Sequence, residues 1–395
     1  MVEILASQKY QKDQKNIIIK DFTIPFVLKK VFDAKQICEE KQQSIIDNLE
    51  SFEAKDITNG NAFMSYIIRL SLHWKVKNCF EDFPSSIIMK VPFPRHETEN
   101  TKEDDKPSEI ISDFLTIATA REINFYKNFP LFEPRAKLPK FYYGYEHHPL
   151  QQGLIIMEDL STRAVTIPVL PGFNEPQLFA LLEEVAMIHA ASWRPGFLAE
   201  LVKSTQKLVE LDPAVFKTLI DQLSTSFTMS SVEQSNYSGS KFGFPSCIVH
   251  ADLWTPNVLW ERDAQGQPTN KLCAIIDWQT VHAGNPCEDI CRILSLNTSG
   301  TYRRQNTERL LTFYAEKVAE FMGGNSPFTF VQLKEAYRKS MAYSALYLCF
   351  GIVYYHEMDS IVGTDPENRK VNQKELLERC RMFLEDTVSS LDKPA

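Results

Sequence analysis

The chain has 395 residues, enough for one large or two medium domains, and its 44% hydrophobic content is ample for a core. A net charge of −8, with no block of Lys or Arg, argues against a nucleic-acid or anionic-membrane surface. The eight cysteines are scattered, several within apolar runs, and Cys287 and Cys291 lack a second pair to complete a zinc site, so reduced, mostly buried thiols in a cytoplasmic protein are expected.

Met1 to Ala6 is too short an apolar stretch for a signal peptide, and Gln8 to Lys15 is strongly polar. Residues 1–55 carry few signals. Lys35 to Phe52 fits a helix packed on the sheet-forming region or a partly mobile arm, so this stretch reads as an added helical arm. Thr58 to Ser65 is a turn with one glycine, Gly60, just ahead of a strand-like run from Ala62 to Trp74. Ser86 to Val91 is a second strand, closed by Pro92 and Pro94, and Arg95 to Pro107 is a charged loop.

From Ser108 to Lys127 the period turns helical, with Ile111, Phe114, Leu115, Ala118, Ile123 and Phe125 on one face and Ser108 placed to cap it. Lys140 to Tyr145 and Gly153 to Met157 then read as a hairpin. Beyond Glu158-Asp159-Leu160 the chain is mostly helical: Glu175 to Trp193, Pro213 to Phe227, Thr307 to Met322, Val331 to Tyr355 and Gln373 to Leu391. The most apolar stretch, Met341 to Tyr355, falls short of the ~18-residue threshold for a membrane span and reads as a buried helix. A small sheet-plus-helix lobe over 1–158, followed by a larger, mostly helical lobe over 159–395, is an α+β, bilobal arrangement of protein-kinase-like plan.

One segment interrupts the helices. Cys247 to Trp260 sets His250, Asp252 and Asn257 in an H-x-D-x(4)-N array between two apolar runs, and a further carboxylate, Asp277, ends the run Ala274-Ile-Ile. That array suits phosphoryl transfer, in which one carboxylate accepts the proton of an attacking hydroxyl while an amide and a second carboxylate hold Mg²⁺ against nucleotide phosphates. All-oxygen ligands fit a hard divalent cation. An ATP site also needs a cation, an anchor for it, a phosphate-covering turn and a partner for the adenine edge. Lys90, closing the Ile87-Ile-Met run, can supply the cation and Glu122 on the following helix can pair with it. The Gly60 turn can cover phosphates, and main-chain groups near Glu158 and Leu160 can face the base. Each has a plainer reading: a surface Lys and Glu, an ordinary β-turn, a strand end.

These motifs resemble the CHK-kinase-like group, which includes the ecdysteroid-kinase-like proteins, within the aminoglycoside and choline phosphotransferase clan. The resemblance runs through Gly60 to Trp74, Ile88 to Pro92, Arg121 to Tyr126, Ile156 to Leu160, Met187-Ile-His-Ala190, Val249 to Trp260 and Ile275 to Leu294. It implies Asp252 as catalytic base, Asn257 and Asp277 as Mg²⁺ ligands, Lys90 as phosphate-binding lysine with Glu122 as its partner, and His250 as a brace for the catalytic loop. It implies ATP as donor and a small molecule with a free hydroxyl as acceptor. Asp289 fits either an acceptor for catalytic-loop N–H groups or a carboxylate favoured by its helix N-terminus.

Two positions depart from the group: Ala251 and Ala62 stand where it usually has Gly, and an Ala held at positive φ costs about 1 kcal/mol or more. A catalytically impaired, nucleotide-binding pseudokinase scaffold is therefore the alternative. A protein kinase is excluded, because Asp277-Trp-Gln replaces D-F-G and too few residues precede Asp289 for an activation segment. Tyr343, Tyr347, Phe350 and Tyr354 make one aromatic stripe on a helix, suited to the core or to an acceptor pocket.

Overall fold

The computed structural model describes residues 8–9, 17–19, 22–58, 64–76, 83–93, 109–148, 151–194 and 242–391, without the side chains at 8–9, 109–112, 346, 350 and 391. Gly60, Ala62, the charged loop after Pro94, the Ser108 cap and the expected helix from Pro213 to Phe227 lie outside them. The chain divides into two compact units, 1–127 with 139–162, and 128–138 with 163–395. The sequence pattern puts the division at residue 158. Asp159 shifts it, because its carboxylate accepts from Arg69 Nε at 3.0 Å, Ser86 Oγ at 2.7 Å and the Ser161 N–H at 2.9 Å. The chain is thereby tied to the first unit for a few residues more.

The first unit is built on a six-stranded sheet. Its strands are β1 (Gln8–Lys9), β4 (Leu49–Asp56), β5 (Ser65–Trp74), β6 (Ser86–Pro92), β7 (Phe141–Tyr145) and β8 (Leu154–Glu158), in the order β1-β4-β5-β6-β8-β7, with every neighbouring pair antiparallel. The expected hairpin is the β7–β8 pair. β6 lies between β5 and β8 and is buried from Ile87 to Pro92, which is why it reads as a continuous apolar run and not as an alternation.

Two short strands, β2 (Ile17–Ile19) and β3 (Phe22–Thr23), lead into helix α1 (Ile24–Ala34), which Thr23 caps by accepting the Phe26 N–H. Helix α2 (Glu39–Asn48) comes next, and at Leu49 the chain becomes β4. The stretch expected as a helical arm is thus only part helix: its last residues are a strand inside the sheet. Helix α3 (Glu109–Phe132) links β6 to β7 and runs through Pro130, past the predicted end at Lys127.

The second unit is mostly helical. Helix α4 (Glu175–Trp193) spans the residues predicted for it and starts with a capping box between Asn174 and Gln177. Short β9 (Ala164–Val165) joins β11 (Val258–Arg262) and β12 (Pro268–Ile275) in a three-stranded sheet, while β10 (Cys247–Val249) pairs with β13 (His282–Gly284). Helices α5 (Cys287–Leu296), α6 (Gly300–Phe321), α7 (Phe330–Tyr355), α8 (Asp359–Val362) and α9 (Pro366–Leu391) complete it. α6 and α9 begin several residues before the predicted starts. Among the described residues no helix is long and apolar enough to cross a membrane. A sheet with its inserted helix, followed by a loop-and-hairpin segment set among helices, is an α+β arrangement of protein-kinase-like plan.

Candidate active site

In the first unit, β6 carries Lys90 on the buried centre of the sheet and α3 carries Glu122 on its buried face. Lys90 Nζ donates to Glu122 Oε2 at 2.6 Å, and the two side chains are 8% and 2% exposed. A charge this deep needs its partner: removing one side of a buried pair costs about 3–5 kcal/mol. The pair therefore holds an ammonium at a fixed point on the sheet. Where β4 ends, Asp56 Oδ1 accepts both the N–H and the hydroxyl of Thr58.

At the end of β8 the Glu158 N–H donates to the Lys140 carbonyl at 2.9 Å, and its carboxylate accepts the Lys140 N–H at 3.2 Å. The Glu158 amide is thus already engaged, whereas among the described residues no hydrogen bond engages the Leu160 main chain. Asp159, between them, carries no sequence signal for its role. Burial pushes its pKa up, but the hydrogen bonds from Ser161 and Ser86 and the charge of Arg69 outweigh burial and hold it below the ordinary value.

In the second unit, β10 delivers the chain into a tight turn at His250-Ala251-Asp252, where Ala251 has φ +67°. That left-handed conformation costs an L-residue with a Cβ about 1–2 kcal/mol. Asp289, in the first turn of α5, holds the turn in place. Its carboxylate oxygens accept the His250 N–H at 2.9 Å and the Ala251 N–H at 2.7 Å. It is also 3.2 Å from His189 Nε2, whose Nδ1 lies 2.7 Å from the Tyr314 hydroxyl. Burial alone would raise the Asp289 pKa, yet the hydrogen bond with His189, the electrostatic influence of the two imidazoles beside it and the His250 N–H together keep it lowered. Of the two readings open for Asp289, the geometry is that of an acceptor for loop N–H groups.

His250 is committed to the main chain on both sides. Its Nδ1 accepts the Asp252 N–H at 3.2 Å, so Nε2 carries the proton and donates to the Ile276 carbonyl at 2.9 Å. With neither nitrogen left for a substrate proton, this imidazole braces the loop. The Thr280 hydroxyl, donating to the His250 carbonyl at 2.7 Å, adds a further tie.

Asp252 emerges from this frame with its side chain 15% exposed. Oδ1 accepts from Arg292 Nη2 at 3.0 Å, and Asn257 Nδ2 lies 3.0 Å from the Asp252 carbonyl and 3.3 Å from Oδ2. With its amide nitrogen turned onto Asp252, Asn257 has its oxygen left to act as a ligand. Asn257 immediately precedes β11 and Asp277 closely follows β12. Val258 pairs with Ile275 and the Ile276 N–H donates to the Asn257 carbonyl at 2.9 Å, so the hairpin brings both residues to one end. Asp277 itself has φ +66°. One amide and one carboxylate make an incomplete cage, and among the described residues no group of three or more His, Cys, Asp or Glu could hold a metal. Such a donor set fits Mg²⁺, which is bound through one or two protein groups with water and substrate phosphates supplying the rest.

Several neighbours carry no sequence signal as site residues. Arg292 is 4% exposed, donates to the Tyr355 hydroxyl at 3.2 Å and lies 4.6 Å from the centroid of the Tyr347 ring. Trp254 stacks on Tyr355 at 5.1 Å. The Asp252 charge and burial both push the Tyr347 phenol up. Asn297, at the end of α5, ties the loop from below, its Oδ1 accepting the Thr255 N–H and its Nδ2 donating to the Leu253 carbonyl. The aromatic stripe on α7 is divided in its surroundings: Tyr347 packs against Arg292, Tyr354 is about half exposed at 48%, and the side chain of Phe350 lies outside the described residues.

Comparison with known proteins adds the family. A family model, DUF1679, described as "Uncharacterized oxidoreductase dhs-27", matches residues 41–197 and 196–393. The chain belongs to the DUF1679 family. It is 29% identical over 355 residues to "Uncharacterized kinase-like protein D1044.1" of Caenorhabditis elegans, covering 84% of this chain and 92% of that protein. It is 26% identical over 333 residues to "Uncharacterized oxidoreductase dhs-27" of the same organism, covering 77% of this chain but only 40% of that longer protein. The name of the kinase-like relative agrees with the resemblance carried by the motifs. Similar solved structures include the streptomycin–ATP–APH(2")-IIa ternary complex, with TM-score 0.38, 16% identity, and coverage of 87% of this chain and 96% of that one. Another is macrolide 2'-phosphotransferase MphH from Brachybacterium faecium, with TM-score 0.32, 13% identity, and coverage of 82% and 91%.

Proposed function

We propose that this DUF1679 protein is an ATP- and Mg²⁺-dependent small-molecule kinase that transfers the γ-phosphoryl group to a hydroxyl of a small metabolite or xenobiotic conjugate. The observation that carries the reading is the loop at 250–257: a partly exposed carboxylate, Asp252, with its main chain clamped, beside an amide whose nitrogen faces Asp252. Phosphoryl transfer asks little covalent chemistry of a protein, so positioning and charge are the parts to look for. Asp252 takes the proton of the acceptor hydroxyl. His250 and Asp289 hold the turn that aims it. Asn257 and Asp277 would hold Mg²⁺, Lys90 would meet the α- and β-phosphates with Glu122 fixing its ammonium, and Leu160 would offer its main chain to the base. ATP and Mg²⁺ supply the transferred group and neutralise the charge that develops on it.

A nucleotide-binding scaffold without turnover is the second reading, favoured by the alanine at φ +67° where glycine would sit without strain. Label transfer from γ-labelled ATP with Mg²⁺ into a mixed metabolite extract, run beside Asp252→Asn, separates the two. Label in a small-molecule product, lost in the variant, supports the kinase. ATP·Mg²⁺ that raises the melting temperature without any transfer supports the scaffold, and neither response removes both.

A further inference from the structure

Among the described residues three arginines are buried: Arg303, which pairs with Asp386, and Arg379 and Arg292, which are held in different ways. Arg379 is 2% exposed and all three of its nitrogens are engaged: Nε by Glu375, Nη1 by the Val169 and Leu296 carbonyls, and Nη2 by the Pro171 carbonyl. It pins segments together. Arg292 is buried as deeply, but only Nη2 makes hydrogen bonds, while Nε and Nη1 are buried without a hydrogen-bond partner. Burying a guanidinium with two idle donors lowers stability, so packing alone does not explain it. What Arg292 does have is a rigid mount, between the Tyr355 hydroxyl and the face of Tyr347, and a single charged partner.

We infer that Arg292 is a positioning residue for phosphoryl transfer, acting through Asp252. This rests on the kinase reading above. A carboxylate torsion is broad and roughly two-fold, so an aspartate held only by its main chain presents either oxygen at many angles. A charge-assisted bond at 3.0 Å from an immobile guanidinium fixes Oδ1 and with it the plane of the carboxylate. Oδ2, which faces the Asn257 amide at 3.3 Å, is then the oxygen that meets the acceptor hydroxyl. Loss of such alignment can cost about 10²-fold in rate without touching the reacting groups.

The test is a double-mutant cycle on the full chain, with γ-labelled ATP, Mg²⁺ and a metabolite extract as acceptor pool. Arg292→Gln should lower the rate at saturating ATP by about 10²-fold while leaving half-saturating ATP within about twofold. Arg292→Lys, which keeps a cation but not the fork, should recover part of that loss. On an Asp252→Asn background, Arg292→Gln should lower the residual rate no further, because the group it acts through is gone. Losses that multiply, or a Lys variant no better than Gln, overturn the inference. Should Arg292→Gln fail to fold, Tyr355→Phe removes one side of the mount, and its smaller loss should likewise vanish on the Asp252→Asn background. An active wild type slowed by Asp252→Asn, with multiplying Arg292 losses, sinks this inference alone. A wild type that transfers no label sinks the kinase reading and this with it.

Discussion

Two ion pairs lie among the residues of the proposed site, and they are built differently. Lys90–Glu122 in the first unit is shut away on both sides, with neither side chain more than 8% exposed. Arg292–Asp252 in the second unit is shut on the cation side and open on the anion side, at 4% and 15%. The first joins a strand to a helix and, on the proposed reading, would fix a charge for nucleotide phosphates that are always the same. The second leaves the Asp252 side chain partly exposed, as the proposed base would need to be. Burial thus separates the proposed mount from the proposed base, although in sequence each is only a Lys or an Asp at the edge of an apolar run.

The sharpest way to break this comparison is to neutralise the open side. Asp252→Asn should lower phosphoryl transfer by about 10²–10⁴-fold, the range for a general base, while ATP·Mg²⁺ still raises the melting temperature. A variant that keeps more than a tenth of the rate removes Asp252 from the role of base. Neutralising the closed side should show up in stability instead. Glu122→Gln leaves a buried ammonium without its counter-charge, and denaturant unfolding should register a loss of about 3–5 kcal/mol. An unchanged midpoint would mean that Lys90 reaches solvent and that the pair is not a fixed mount.

The same distinction governs what is legible in the sequence. His250, Asp252 and Asn257 are readable because their proposed roles require them on one short loop between two strands, and Lys90 because it ends an apolar run within a strand buried from Ile87 to Pro92. Arg292 and Tyr355 are not. They reach Asp252 or each other across 40 and 63 residues, and no local period marks that meeting. Asn297 likewise joins α5 to the loop across 42 residues, and an asparagine at a helix end has a plainer explanation as a cap. In the fold, β4 escapes a reading by period because a register shift between Leu49 and Ser51 breaks its alternation, so Leu49 and Phe52 look helically spaced. Helix α1 goes unread as well, although Thr23 as cap and Pro25 in the first turn are a start signal.

Asp289 sharpens the comparison at the loop that carries Asp252. Asp289→Asn leaves two main-chain N–H groups facing a side chain with one oxygen, and should cost about 1–3 kcal/mol at neutral pH. Because the Asp289 pKa is held down in the fold, its contribution is fully present above the ordinary aspartate value near 3.9 and fades as pH falls through the lower, folded one. Stability plotted against pH should therefore fall less steeply below about pH 4 in the variant than in the wild type. Equal slopes would mean that some other carboxylate dominates the acid limb.

The smallest expected effect bears most directly on whether the open pair is a working site. Ala251→Gly removes a Cβ from a residue at φ +67°, relieving about 1–2 kcal/mol of left-handed strain. The extra freedom glycine brings to the unfolded chain takes back about 0.4–1 kcal/mol, so the denaturant midpoint should rise by a net gain of about 0.5–1 kcal/mol. Asp289 already grips the N–H groups of His250 and Ala251, so the turn keeps its shape with either residue. The transfer rate should therefore stay within about twofold of wild type, a rate factor worth less than ~0.5 kcal/mol. A rate that climbs tenfold or more would mean that the alanine holds the loop out of line, and that the protein as it stands is closer to a scaffold than to an enzyme.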